Sequence, residues 1–159
     1  MGIAASDLCQ HVIRPTLLYL ERHSAAAEAL LLGTAACQSA LGSALDDRHG
    51  HGLFRISERR HQSLWDRYLA LDPDLASRVR GLASQHAFLA APHLELTVNL
   101  RYSTAIAWML IEAEQLPLPH ASDHLGQARI WRRVFHPNGC LHDFTDAWQN
   151  FIGNLSLAA

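Results

Sequence analysis

Between Ser6 and about His23, apolar residues at Leu8, Val12, Leu17 and Leu20 recur at helical spacing, and Pro15 inside that run is expected to kink or divide the helix. Ser24 is placed to cap a second helix through AAAEALLLGTAACQ, whose near-uniform apolarity suits a central, buried element. The following LGSALDDRHGHGLF carries Gly42, Gly50 and Gly52 with paired aspartates and reads as a loop, with room for a short hairpin. Ser57 opens a third helix bearing Leu64, Trp65, Tyr68 and Leu69. Asp72-Pro73 is a cap followed by proline at the first helical position of a fourth. After Pro92 comes the longest periodic segment, HLELTVNLRYSTAIAWMLIEAEQ, in which Leu96, Leu100, Ile106, Met109 and Leu110 share a wide apolar face until Pro117 and Pro119 stop it. Ser122 and Asp123 start a helix through IWRRVF. His136-Pro137-Asn138-Gly139 is a turn, and Leu141, Phe144, Trp148, Phe151 and Ile152 form the apolar face of a last helix. The expectation is an all-α domain of six to eight helices, with at most a short hairpin.

Length and composition narrow this further. A chain of 159 residues, 49% of them hydrophobic, can bury one substantial core and is short for two, so residues 1–159 are expected to form a single domain. A formal net charge of −2 gives no field for nucleic acid or an anionic membrane, although all 13 basic residues are arginine. Three cysteines, Cys9, Cys37 and Cys140, lack CxxC spacing and suggest reduced thiols rather than a disulfide framework or a zinc site. MGIAASDLCQ lacks the basic region and apolar run of a secretion signal, and no apolar stretch is long enough to span a bilayer. Synthesis in a cytoplasm without membrane insertion is the expectation. Gly2 and Ser6 match the form of a myristoylation signal, a pattern too short to weigh much.

The candidate chemistry lies in residues 34 to 42, TAACQSALG. This segment resembles the signature of the lysozyme-like transglycosylase superfamily, and more narrowly the small lysozyme-like proteins of tailed phages and prophages, which tend to read T-A-A-x-E-S-x-L-G. The resemblance implies a lysozyme-like fold in which the glutamate delivers a proton to the leaving glycosidic oxygen of peptidoglycan. Gln38 stands at that position, and an amide cannot act as a carboxylic acid. A second segment, GLFRI at Gly52 to Ile56, matches a family pattern in which Gly-Leu-aromatic precedes a substrate-binding glutamine, and here Arg55 replaces it. The likeness continues through HQSLWDRYLA, NLRYSTAIA with Asn99 and Tyr102, and IWRRVFHPNG, covering roughly residues 10 to 150.

The resemblance nominates Gln38 as the altered catalytic position, with Asp46, Asp47 and Glu58 as weak alternative carboxylates whose plainer role is as solvated loop and helix-start acids. Ser39, Arg55, His61 and Tyr102 are the substrate-binding candidates, with Trp65 beside them either in a saccharide groove or in the core. No cofactor is implied. Eleven histidines, including His49 with His51 and His120 with His124, show no spacing that supplies three or four converging metal ligands. Two departures at two signature positions point to drift away from catalysis, and with the resemblance to phage and prophage proteins they imply a virion component, associated with the tail. It would act through contacts with other virion proteins or by holding peptidoglycan without efficient cleavage. The alternative is an active muramidase or lytic transglycosylase that opens the cell wall, working through another carboxylate. An engineered Gln38 fits less well, because Arg55 departs too.

Overall fold

The computed structural model describes residues 2–45 and 49–155. Among them the chain is all-α: ten α-helical segments and short 3-10 and π turns surround one core, and the nearest thing to a sheet is an isolated antiparallel bridge between His51 and Ile56. Helix α1 (Ala5–Leu8), a π-helical turn (Cys9–Ile13) and α2 (Arg14–Tyr19) run end to end. Pro15 explains the irregularity. It has no N–H for the carbonyl four residues back, and the ladder widens so that the Arg14 N–H bonds the Cys9 carbonyl. The Thr16 hydroxyl then donates to the Val12 carbonyl at 2.7 Å.

The central helix is α3 (Ala25–Ser39), capped by the Ser24 hydroxyl, which accepts from the Ala27 N–H at 3.0 Å. Its first turn carries Glu28, fully buried, whose carboxylate accepts hydrogen bonds from Arg14 at 2.8 Å, from the Cys9 thiol at 2.9 Å and from His23. Burial pushes the Glu28 carboxyl up, but the bonds from Arg14, Cys9 and His23 outweigh it and hold the group below its usual value. This clamp ties α3 to the N-terminal rod. Farther along, Gly33 lets the helix press against α10 (Leu141–Phe151): a Cβ there would sit 2.3 Å from the Phe144 ring. Helix α3 ends with Ala40 and Leu41 in left-handed conformation, at φ of 50° and 54°.

Helix α4 (Glu58–Arg67) starts at Ser57 as expected and passes through a 3-10 turn (Leu69–Leu71) to α5 (Pro73–Gly81), which Asp72 caps by accepting from the Leu75 N–H at 3.2 Å. Helix α6 (Gln85–Ala90) has no counterpart in the hydrophobic pattern, because it buries no residue fully and so leaves no apolar stripe to read. The long periodic segment after Pro92 is divided rather than continuous, into a 3-10 turn (Pro92–Leu94), α7 (Glu95–Val98) and α8 (Leu100–Ala113). Asn99 makes the break. Its Oδ1 accepts from the Tyr102 N–H at 3.0 Å, and its Nδ2 donates to the Leu82 carbonyl at 2.9 Å and to Glu95 at 2.8 Å. Helices α9 (His124–Val134), capped by Asp123, and α10 complete the core around α3. Phe151, expected on the apolar face of α10, is 44% exposed, whereas Phe144 and Trp148 are buried.

Candidate functional site

The two motifs that carry the sequence resemblance meet in space. Residues 52–55 turn the chain between His51 and Ile56, which exchange backbone bonds at 2.8 and 3.1 Å. Two special backbone positions allow the turn. At Gly52 φ is +77° and a Cβ would fall 1.8 Å from the Leu96 carbonyl oxygen, and Arg55 is itself left-handed at φ 48°. The turn buries Leu53, Phe54 and Ile56 and aims the carbonyls of Leu53 and Phe54 at the C-terminal end of α3.

Gln38 receives that turn. Its amide nitrogen donates to the Phe54 carbonyl at 3.1 Å, and its amide oxygen accepts from the indole N–H of Trp131 on α9 at 3.1 Å. Both ends of the amide are therefore occupied by groups of the chain itself, and the side chain bridges α3, the 52–55 turn and α9. Ser39 is equally committed: its hydroxyl donates to the Leu53 carbonyl at 2.7 Å and accepts from the Gly42 N–H at 3.0 Å. It is 1% exposed and so has no face for a substrate.

Gln38 nevertheless lines a cleft of about 230 Å³ together with Cys37, His49, Arg55, Trp131 and Asp143. Arg55 reaches along its wall and donates through Nη2 to the Ala44 carbonyl at 2.9 Å. Asp143 is the carboxylate of this cleft among the described residues, and its Oδ2 accepts from the Cys140 N–H at 3.3 Å as part of a capping box. Burial, and secondarily the charge of Asp143, push the Cys37 thiol up to about 12, so it is no nucleophile near neutrality. Sequence reasoning missed Asp143, His49 and Cys37 as neighbours of Gln38. The available signal was the spacing Cys140 to Asp143, which has the form of a helix start but not the usual Ser or Thr.

The other nominated residues lie elsewhere. Asp46 and Asp47 fall outside the described residues. Glu58 is an exposed residue in the first turn of α4, 3.1 Å from His51 Nε2, and does not line the cleft. His61 and Tyr102 are 1% and 0% exposed, interior rather than on the cleft wall. Tyr102 Oη accepts the Trp65 indole N–H at 2.9 Å and lies 2.7 Å from His61 Nε2, while His61 Nδ1 lies 2.9 Å from His93 Nδ1. Burial, then the nearby His93 and His51, lower the His61 imidazole to about 4, and it is neutral near pH 7. His120 bonds Ser122, and His124 packs on Trp148 with ring centroids 4.2 Å apart. Among the described residues no three His, Cys, Asp or Glu side chains converge to hold a metal ion, and no helix is long and apolar enough to cross a membrane.

No protein-family model matches the chain, and no curated protein or solved structure matches it either.

Proposed function

We propose that this protein is a non-catalytic, lysozyme-like component of a phage or prophage particle, associated with the tail, which acts through contacts with other virion proteins or by holding peptidoglycan without efficient cleavage. The observation that carries this reading is the state of Gln38. A general acid must present a proton to a leaving oxygen in the cleft, whereas this side chain carries no acidic proton and spends both amide atoms on Phe54 and Trp131. Replacing a general acid by such a group typically removes about 100- to 10,000-fold of rate. The cleft beside it has an arginine and aromatic walls, which suits holding a polar glycan better than an entirely closed core would.

One observation favours the alternative, an active muramidase or lytic transglycosylase: Asp143 places a carboxylate in the Gln38 cleft. Zymography and muropeptide analysis separate the two. The unaltered protein is expected to show no turnover while sedimenting with purified peptidoglycan or appearing at fixed stoichiometry in particles. Turnover by the unaltered protein, abolished in Asp143→Asn, would establish the enzyme and refute the proposal. Turnover gained in Gln38→Glu would mean that only the acid had been missing.

A further inference from the structure

A groove of about 400 Å³ runs between α4, α8 and α9. Its charged walls are Arg60 and Arg67 from α4 and Arg133 from α9, with Glu114 at the end of α8. Arg60 and Arg67 are seven residues apart, two helical turns, and therefore share one face of α4. Ser63 and Leu64 lie between them on that face and also line the groove. The floor is apolar, formed by Leu64, Leu110, Ala113 and Val134.

The ion pairing of this groove is incomplete. Arg133 Nε lies 3.2 Å from Glu114 Oε2, the one carboxylate lining the groove among the described residues, and the Glu114 charge also acts on Arg60. Among the described residues no carboxylate comes within ion-pair distance of the Arg60 or Arg67 guanidinium, Glu114 acting on Arg60 only from farther off, and Arg60 is only partly exposed. Three arginines against one glutamate leave a charge of +2 in a chain whose net charge is −2. Partial removal from water makes the Arg60 guanidinium costly to leave unpaired, and Arg forks favour planar or tetrahedral oxyanions.

We propose that the groove between α4, α8 and α9 binds a phosphate monoester, its phosphate held by Arg60, Arg67 and Arg133 and its organic part resting on Leu64, Leu110, Ala113 and Val134. Phosphate suits the groove better than a carboxylate. It offers several oxygens to guanidiniums on two different helices, and a carboxylate would duplicate what Glu114 already supplies to Arg133. The cavity is large enough for an organic substituent, falling within the range of about 300 to 1,000 Å³ usual for small-molecule sites. The inference does not rest on the reading of Gln38, whose cleft has different walls.

The test is a titration of the full chain with inorganic phosphate, glycerol 3-phosphate and a hexose phosphate, followed by amide and arginine side-chain NMR, with acetate and chloride at matched ionic strength as controls. Saturable shifts confined to α4, the end of α8 and α9 are expected with the phosphates, the esters binding more tightly than inorganic phosphate. Loss of one charge-assisted contact should weaken binding about tenfold in Arg60→Gln and in Arg67→Gln. The exposed Arg67 guards against a folding defect at Arg60, and Arg101→Gln, outside the groove, should bind as the unaltered chain does. Shifts equal to those from chloride, equal affinity for acetate, or affinity unchanged in Arg67→Gln would each overturn the proposal.

Discussion

Gln38→Glu should convert a contact that is indifferent to pH into one that fails as pH rises. The amide nitrogen now donates to the Phe54 carbonyl and the amide oxygen accepts from Trp131. A neutral carboxylic acid can make the same two bonds, with its O–H directed at Phe54. A carboxylate cannot, since it would set a charged oxygen about 3 Å from the Phe54 carbonyl oxygen, with a lost donor and an unsatisfied acceptor costing about 1 to 3 kcal/mol. Gln38 is only 9% exposed, so burial adds to the cost of the ionised form. Together these should raise the introduced carboxyl well above the unperturbed glutamate value of about 4.3, and a rise of about 2 units corresponds to about 3 kcal/mol. A folded-state pKa above the unfolded one gives stability that is full below the unfolded value and lost as pH rises through the folded one.

Relative to the unaltered protein, the variant should thus be close in stability at about pH 4 and weaker by about 3 kcal/mol at about pH 8. For a chain of this length that is a Tm lower by about 6 to 12 °C. Thermal unfolding followed by circular dichroism across that range is the assay. Comparison at each pH cancels the contribution of other titrating groups. A Tm difference independent of pH, or one that grows on acidification, would refute the assignment of Gln38 as donor to Phe54.

His61 should make the unaltered protein sensitive to acid. Its folded-state pKa of about 4 lies below the ordinary imidazole value of 6.5, so its contribution is full above about 6.5 and lost as pH falls towards 4, amounting to at most about 3 kcal/mol. The Tm measured over that window should fall, and one-dimensional NMR of the histidine protons should show a ring that resists protonation; a His61 that titrates near 6.5 would contradict the packing. Glu28→Gln should cost about 3 kcal/mol, because Arg14 and His23 lose the charge that compensates them, with a Tm lower by about 6 to 12 °C in the same assay. The depressed Glu28 carboxyl contributes above its unfolded value and loses that contribution only as pH falls through the folded one, so this part of the acid limb lies below that of His61. A variant as stable as the parent would mean the clamp does not hold α3 to the N-terminal rod.

The elements that could be read from the chain were those announced by a cap and a buried stripe. Ser24, Ser57, Asp72 and Asp123 each accept the backbone N–H expected of a cap, and the alanine- and leucine-rich α3 is central because residues all round it are apolar. What escaped has a common physical cause, in that one side chain did something periodicity does not encode. Asn99 interrupts an otherwise continuous helical pattern by bonding Leu82, Glu95 and Tyr102 at once. At the site, the pairing of TAACQSALG with GLFRI was legible as two motifs in order, but the contacts that join them run through the Leu53 and Phe54 carbonyls, which no side-chain pattern reveals. His61 and Tyr102 looked like groove residues because aromatic and imidazole rings serve both cores and saccharide sites. The choice between them depended on Trp65 and His93 completing a buried hydrogen-bonded set.

The geometry around Gln38 bears on why an amide rather than an acid stands there. The position requires one donor towards Phe54 and one acceptor towards Trp131, and glutamine supplies both in every protonation state. An acid would supply them only while protonated, the condition under which a general acid is useful but also the condition that titration removes. A protonated acid making the same two contacts would aim its O–H at Phe54 and away from a leaving oxygen in the cleft, so this pair of contacts suits permanent cross-linking of α3, the 52–55 turn and α9 by glutamine. Arg55 is consistent with that, since it turns along the cleft wall to the Ala44 carbonyl and adds another contact between the end of α3 and the turn.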